Sequence, residues 1–442
     1  MTRCTRLLTF FLPALALAPL TVPAQTPLFW PDKNGPNLDG TVPAADAERI
    51  PQTWNLESGE NILWRTPLEG EGHSTPVIGG DLIWFTAASP DGKKQWVYGL
   101  ERETGAVRHH VLLFENAEPE PLGNPINNYA APSCVLDETG VYAHFGTYGT
   151  AKLNPETAEV IWQRRDINVN HFRGPGSSPL LWENLIILTF DGINHQFITA
   201  LSKDTGDTVW LTERSTDYGD LDKDGHPTRD GDMRKAYHTP RVFEIAGQPQ
   251  LISVGSRSAF GYDPRTGREL WNLPHGGFNA AIRPLMGDGI LYLNTGSERS
   301  HLLAVRVDDA MQGELTATHL LWDYDKRNAS EADMILHHGR IIQITRGGIV
   351  SCLDAKTGEK IWDGRLEGQF LPSPIRAGDH LYVSNDRGQT FIIADQGDQM
   401  EILHTNTLDA PISAGPAVAD GALFIRSKEA IYCLKTGAQL KR

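Results

Sequence analysis

Six aspartates fall between positions 217 and 232: Asp217, Asp220, Asp222, Asp224, Asp230 and Asp232. Within them, Asp220-Leu221-Asp222-Lys223-Asp224-Gly225 places carboxylates at alternate positions ahead of a turn glycine, the donor pattern of a calcium loop. Carboxylates this dense repel one another unless a cation is present. Counted from Asp220, the twelfth place is Gly231 rather than the bidentate glutamate of a full loop, so Asp230 or Asp232 would have to close the set. The expectation is a structural Ca²⁺ held by Asp220, Asp222, Asp224, Asp230 and Asp232, against a solvated acidic loop. Its task would be to stiffen the long loop that delivers Arg234, Lys235, Tyr237 and His238.

A second set of residues lies in the connections that lead into apolar runs. It comprises His73, Asn127, Asn128, Tyr129, His171, Arg173, Arg234, Lys235, Tyr237, His238, Asn279 and Arg283. Loops on a rigid scaffold are where function concentrates. Histidine, tyrosine and arginine brought to one place would bind an anionic ligand. If His171, Arg173, Tyr237 and His238 converge, a tyrosine or histidine base beside an arginine-neutralised carboxylate would suit proton abstraction next to a uronate, which is lyase-type chemistry. The structural alternative is that these groups hydrogen-bond the backbone of their own loops. His73, His171 and His238 come from three separate loops without the tight spacing of a transition-metal site.

The elements that must carry these loops are read from a repeat. A β-rich run, a turn ending in Thr-Gly, three residues and a tryptophan recur as Thr205-Gly206 to Trp210, Thr266-Gly267 to Trp271, and Thr357-Gly358 to Trp362. Thr157-Ala158 to Trp162 is a variant, and Thr104-Gly105 keeps the turn but places His109 where tryptophan would stand. Trp64 and Trp322 keep the tryptophan without the turn spelling. Glycine at these turns supplies the positive φ that a hairpin bulge needs. A second landmark opens each unit with a proline-led strand, at Pro76, Pro132, Pro179, Pro240, Pro284, Pro374 and Pro416; Met334-Ile335 fills the remaining place. Eight units of roughly 50 residues, each with about four short strands, predict an all-β, eight-bladed β-propeller with four-stranded blades. The last unit stops at Gly437 without its tryptophan strand, and Asn61-Ile62-Leu63-Trp64 is an orphan strand before the first unit. Pairing the C-terminal with the N-terminal strand closes the ring and leaves no long open edge.

These Thr-Gly-x-x-x-Trp units and this closure resemble the PQQ-like, quinoprotein-type eight-bladed propellers, in which the tryptophan docks one blade on the next. Closer spelling is similar to exported PQQ-like repeat proteins of the planctomycete type. It rests on Glu118-Pro119-Glu120-Pro121-Leu122-Gly123-Asn124-Pro125, on His171-Phe172-Arg173-Gly174-Pro175-Gly176-Ser177-Ser178-Pro179, and on Gly219 to Gly225. The resemblance spans about Asn61 to Gly437. It implies the fold and leaves the activity open. Quinoprotein dehydrogenases of this type carry an adjacent Cys-Cys pair beside the cofactor and calcium-binding carboxylates in the channel. This sequence has no Cys-Cys, so a PQQ-dependent dehydrogenase is disfavoured.

The net charge of −15 argues against a nucleic-acid binder, because phosphate neutralisation needs a basic face. Residues 1–24 read as a cleaved signal peptide: Arg3 and Arg6, an apolar run from Leu7 to Val22, and small residues ending at Ala24. The run is short for a spanning helix, is broken by Pro13 and Pro19, and has no later counterpart, so a periplasmic or secreted protein without a transmembrane segment is expected. Cys4 lies too early to be a lipid-attachment cysteine. Cys134, Cys352 and Cys433 are an odd set that reads as buried apolar side chains. Residues 25–60, with Trp30-Pro31, Gly35-Pro36 and Pro51, are expected to wrap the outside of the ring as an extended arm, and 61–442 to form the propeller. The expected function is binding of a carbohydrate, acidic oligosaccharide or other small molecule at the channel mouth. The alternatives are a sugar-active lyase and an envelope-assembly scaffold with a protein partner.

Overall fold

The computed structural model describes residues 27–123, 126–220, 222–223, 231–297 and 300–440. The signal-peptide expectation, Asp224 and Asp230 therefore lie outside the described residues. Eight sheets succeed one another around a central channel, each repeat unit being one of them; all are antiparallel except that in the fourth the outer strand Glu269–Pro274 also pairs in parallel with Gly313–Glu314. We number the blades 1 to 8 in chain order. Blade 3 is typical: Leu180–Trp182 lines the channel, followed outward by Leu185–Asp191, Gln196–Ser202 and Thr208–Glu213. The second and third strands are almost wholly buried, because neighbouring blades cover both their faces. The outermost strand alternates, and Trp210 is its buried member.

The tryptophans work as the repeat implies. Trp64, Trp162, Trp210 and Trp322 lie on the turn glycine of the next blade, where a Cβ on Gly105, Gly206, Gly267 or Gly358 would come within 2.5–2.8 Å of the indole. Each indole N–H donates to a carbonyl of that neighbouring turn, on Arg102, Lys203, Pro264 and Lys356. His109, standing for a tryptophan, reaches the Glu156 carbonyl of blade 2 in the same way, 3.0 Å away. Trp271 departs from the pattern and donates within its own blade to Gln250 Oε1.

Closure follows the sequence expectation. Glu60–Pro67 pairs with Ala430–Gln439 as the outermost strand of blade 8, in the register Ile62 to Leu434, Trp64 to Cys433 and Thr66 to Ile431. Cys134, Cys352 and Cys433 are all free and buried. The only α-helices among the described residues are the four-residue turns Ala44–Ala47 and Thr316–His319.

The arm does not wrap the outside of the ring; this expectation is corrected. Leu28–Trp30 adds an inner fifth strand to blade 1 by pairing with Val77–Gly79. The Pro31 carbonyl accepts from Leu136 of blade 2, the Asn37 and Leu38 carbonyls accept from Arg241 of blade 4, and Thr41 bridges Arg376 of blade 7. Residues 27–42 thus cross one end of the channel. Residues 43–59 then run outward over blades 7 and 8, where Arg49 donates to the Asp420 carbonyl and the Trp54 amide to Asn406. The physical reason is that Trp30, Val42, Ile50 and Trp54 are too apolar to lie on a solvated rim, and all are buried in one core cluster.

Candidate ligand-binding site

Two residues before each innermost strand, the chain turns into the channel. The eight equivalent positions are Thr75, Ser133, Ser178, Thr239, Arg283, Asp333, Ser373 and Gly415. They form a girdle, and at five of them the amide donates to the next blade's side chain. The Thr75 amide donates to Ser133 Oγ at 2.9 Å, that of Ser133 to Ser178 Oγ at 2.9 Å, and that of Ser178 to Thr239 Oγ1 at 3.1 Å. Across blades 5 to 7, Arg283 N–H donates to Asp333 Oδ1 at 2.7 Å and Asp333 N–H to Ser373 Oγ at 3.1 Å.

The two charged girdle positions are the ones that receive the arm. Arg283 makes a bidentate pair with Asp32, at 2.5 and 2.9 Å. Asp333 accepts from Lys33 Nζ at 2.6 Å and Asn34 Nδ2 at 2.9 Å. Burial works against ionising Asp333, but Lys33 and the Arg283 amide overcome it and hold its carboxyl at about 2. The arm therefore stops the channel from one side and leaves a cavity of about 250 Å³ open on the other.

Of the twelve residues expected at the mouth, His73, Asn127, Arg173, Tyr237 and Asn279 line this cavity, beside the girdle hydroxyls, Lys33 and Glu331. The other seven lie in the wall. His171 Nε2 accepts the Thr147 amide at 3.0 Å and His238 Nε2 accepts the Val254 amide at 2.9 Å. Asn128 Oδ1 accepts the Ala130 amide, and Tyr129 Oη donates to the Glu120 carbonyl. Arg234 pairs with Asp220 and Arg283 with Asp32. Of the four catalytic candidates, the structure brings Arg173 and Tyr237 to the cavity and leaves His171 and His238 behind it.

Electrostatics explain what the cavity favours. Arg173 reaches Asp232 in a two-pronged contact at 2.8 Å. Lys235 is fully buried, its Nζ has no hydrogen-bond partner among the described residues, and it sits 4.8 Å from the centre of the Tyr237 ring. Burial lowers its pKa to about 8 despite the nearby Asp191 and Asp232. Arg426, also buried, donates to the Ser74 and Thr86 carbonyls and lies 4.8 Å from the centre of the Phe85 ring, and burial lowers its pKa to about 10. Burial, Arg426 and Lys428 lower His73 to about 4, so its imidazole is neutral. Burial raises Tyr237, which favours its protonated form and suits it poorly as a base. Burial also raises Glu331, against the Ser330 hydroxyl that it accepts.

Sequence reasoning missed Lys33, Glu331 and the girdle hydroxyls. The signal was present: aligning the eight units at their lead-in position displays a Ser/Thr column broken by Arg283, Asp333 and Gly415, with Asp32-Lys33 in the arm complementary to the two charged members.

The aspartate segment is engaged differently from the calcium expectation. Asp220 accepts both prongs of Arg234 and Asp232 those of Arg173. Two of the five expected ligands thus already hold guanidinium groups.

A family model matches residues 39–193, 194–339 and 315–400, most of the chain. The chain belongs to the PQQ_2 family, described as outer membrane protein assembly factor BamB. This PQQ_2 propeller is 20% identical over 398 residues to the tetrathionate hydrolase of Acidithiobacillus ferrooxidans, covering 81% of this chain and 71% of the relative. In fold it is similar to BamB from Moraxella catarrhalis, with a TM-score of 0.58, 15% identity, and coverage of 84% of this chain and 99% of the other. It is likewise similar to the quinohemoprotein alcohol dehydrogenase from Comamonas testosteroni, with a TM-score of 0.62, 11% identity, and coverage of 95% and 82%. The PQQ_2 cavity does not fit a quinone of the dehydrogenase kind. Among the described residues no cysteine lines it, Cys134, Cys352 and Cys433 lie apart in blades 2, 6 and 8, and Glu331 is its one carboxylate. No helix among the described residues is long and apolar enough to cross a membrane.

Proposed function

We propose that the protein is a ligand-binding propeller whose blind cavity takes a small, hydroxyl-rich organic anion of the uronate or acidic-oligosaccharide class. The observation that carries this reading is the lining itself: Lys33 and Arg173, each already paired with one aspartate, stand among a girdle of serine and threonine hydroxyls, and the Lys235 ammonium behind the wall has no hydrogen-bond partner among the described residues. Hydroxyls match a polyol, and the cationic groups match a carboxylate. The tetrathionate hydrolase relative is named for an anionic substrate, which supports the charge preference and adds tetrathionate to the compounds worth testing. Lyase chemistry is the weaker variant, because Tyr237 is held protonated and His73 is a poor base at about 4. The test is calorimetric titration with uronates, their neutral sugar counterparts and tetrathionate. Binding of the acids alone supports the proposal, and equal or absent binding across the panel defeats it.

A second reading, an envelope-assembly scaffold, is favoured by the family description and by apolar side chains left exposed on outer strands of adjacent blades, Val160 and Ile161 beside Val209 and Leu211. Export to the periplasm or beyond accompanies either reading. Structural Ca²⁺ in the aspartate segment stays a proposal, tested by whether the ion raises and a chelator lowers the melting temperature.

A further inference from the structure

At the arm end of the ring, opposite the open cavity, the inner hairpins of blades 6 and 7 meet tip to tip. In blade 6, His337 pairs with Arg340 across a two-residue turn, His338-Gly339, with φ of 49° and 70°. In blade 7, Ala377 pairs with His380 across Gly378-Asp379. These turns bring His337 Nε2 to 3.1 Å and His338 Nε2 to 3.7 Å from the same oxygen, Asp379 Oδ1. The two imidazole rings are 3.7 Å apart between centres, and the three donor atoms lie within 4.8 Å of one another.

We propose that His337, His338 and Asp379 form a binding site for a divalent transition ion of the zinc class, which pins blade 6 to blade 7. Tetrahedral zinc with bonds of about 2.0–2.1 Å needs donor atoms roughly 3.3 Å apart, and the two measured imidazole-to-carboxylate separations bracket that value. Two imidazoles and one carboxylate suit Zn²⁺, Co²⁺, Ni²⁺ or Cu²⁺ rather than Ca²⁺ or Mg²⁺. Three protein donors leave a position for water or an outside ligand. The neighbouring histidine is not part of the set: His380 Nδ1 is 3.2 Å from the arm's Gln52 Nε2, which donates to it. A second imidazole is what separates this cluster from a simple ion pair. His301 and Asp323 also meet, at 2.6 Å, yet no third ligand joins them among the described residues.

The turn chemistry supplies a variant that keeps the fold. Positive φ at both central residues of a two-residue hairpin favours Asn-Gly, so His338→Asn removes an imidazole while leaving the turn a preferred sequence. Asp379→Asn keeps the shape and removes the charge. The untagged protein is titrated with Zn²⁺ by calorimetry and with Co²⁺ by visible absorbance. The expected result is one equivalent bound with a nitrogen-ligated cobalt spectrum. Affinity should fall about 100-fold or more in His338→Asn and in Asp379→Asn, at or beyond the upper end of what losing an outer-shell partner costs, and stay unchanged in His301→Ala. Absent binding, or binding equally strong in His338→Asn and Asp379→Asn, overturns the proposal. So does a zinc-induced rise in melting temperature that survives both substitutions.

Discussion

Asp32 and Arg283, 251 positions apart, form a buried two-pronged ion pair inside the channel, at 2.5 and 2.9 Å. Removing one partner leaves the other charge buried without compensation. Asp32→Ala should therefore cost about 3–5 kcal/mol in a denaturant titration. It should also make residues 27–42 sensitive to protease while the ring persists. A variant as stable and as protease-resistant as the parent would mean that the arm is held by something else.

Ring closure rests on Trp64, which is buried against Gly105 of blade 1 and donates to the Arg102 carbonyl at 3.0 Å. Trp64→Ala is expected to destabilise by about 3–5 kcal/mol, the usual loss for a large buried aromatic. Trp271 bonds within its own blade, so Trp271→Phe should leave the seam between blades 4 and 5 intact. Hydrogen exchange should show a loosened seam between blades 8 and 1 in Trp64→Ala and unchanged protection between blades 4 and 5 in Trp271→Phe.

Acid should unfold the protein steeply. Burial lowers His73 to about 4 and His144 and His275 to about 3, and it holds His171 and His238 well below the ordinary value. In the unfolded chain these imidazoles titrate near 6.5. Between about pH 6.5 and 3, the unfolded state therefore binds more protons than the folded one, and stability falls as pH falls. The denaturation midpoint should drop from pH 7 to pH 4.5 with a slope equivalent to more than one proton.

Anion binding should follow Lys235. Its ammonium, at about 8 in the free protein, is stabilised by a bound anion, so affinity is expected to decline with rising pH at a midpoint at or above 8. Lys235→Met should weaken anion binding and at the same time raise the melting temperature, because it removes a buried charge that has no hydrogen-bond partner among the described residues. Affinity that is flat from pH 7 to 10 would separate Lys235 from the ligand.

The fold was legible because its signals are local and repeated: a Thr-Gly turn, a tryptophan and a proline-led strand recur, and the orphan strand before Trp64 finds its place by pattern alone. The site was half legible. Lead-in position singled out His73, Asn127, Arg173, Tyr237 and Asn279, all of which border the cavity. It could not separate them from His171 and His238, whose side chains turn back to accept amides in the wall. The arm was misread because its segment lacks periodicity. Its destination is set by contacts such as Lys33 to Asp333, 300 residues away, which no local pattern encodes.

The seam between Glu60–Pro67 and Ala430–Gln439 has a consequence for biogenesis. A ribosome delivers the first of these strands long before its mate. Until the mate emerges, Glu60–Pro67 has no blade 8 to join and Trp64 lacks the strand beside it. Sealing consequently waits on the eighth module, and a chain cut short before Ala430 keeps a sticky, unpaired flank however well its first seven modules have formed.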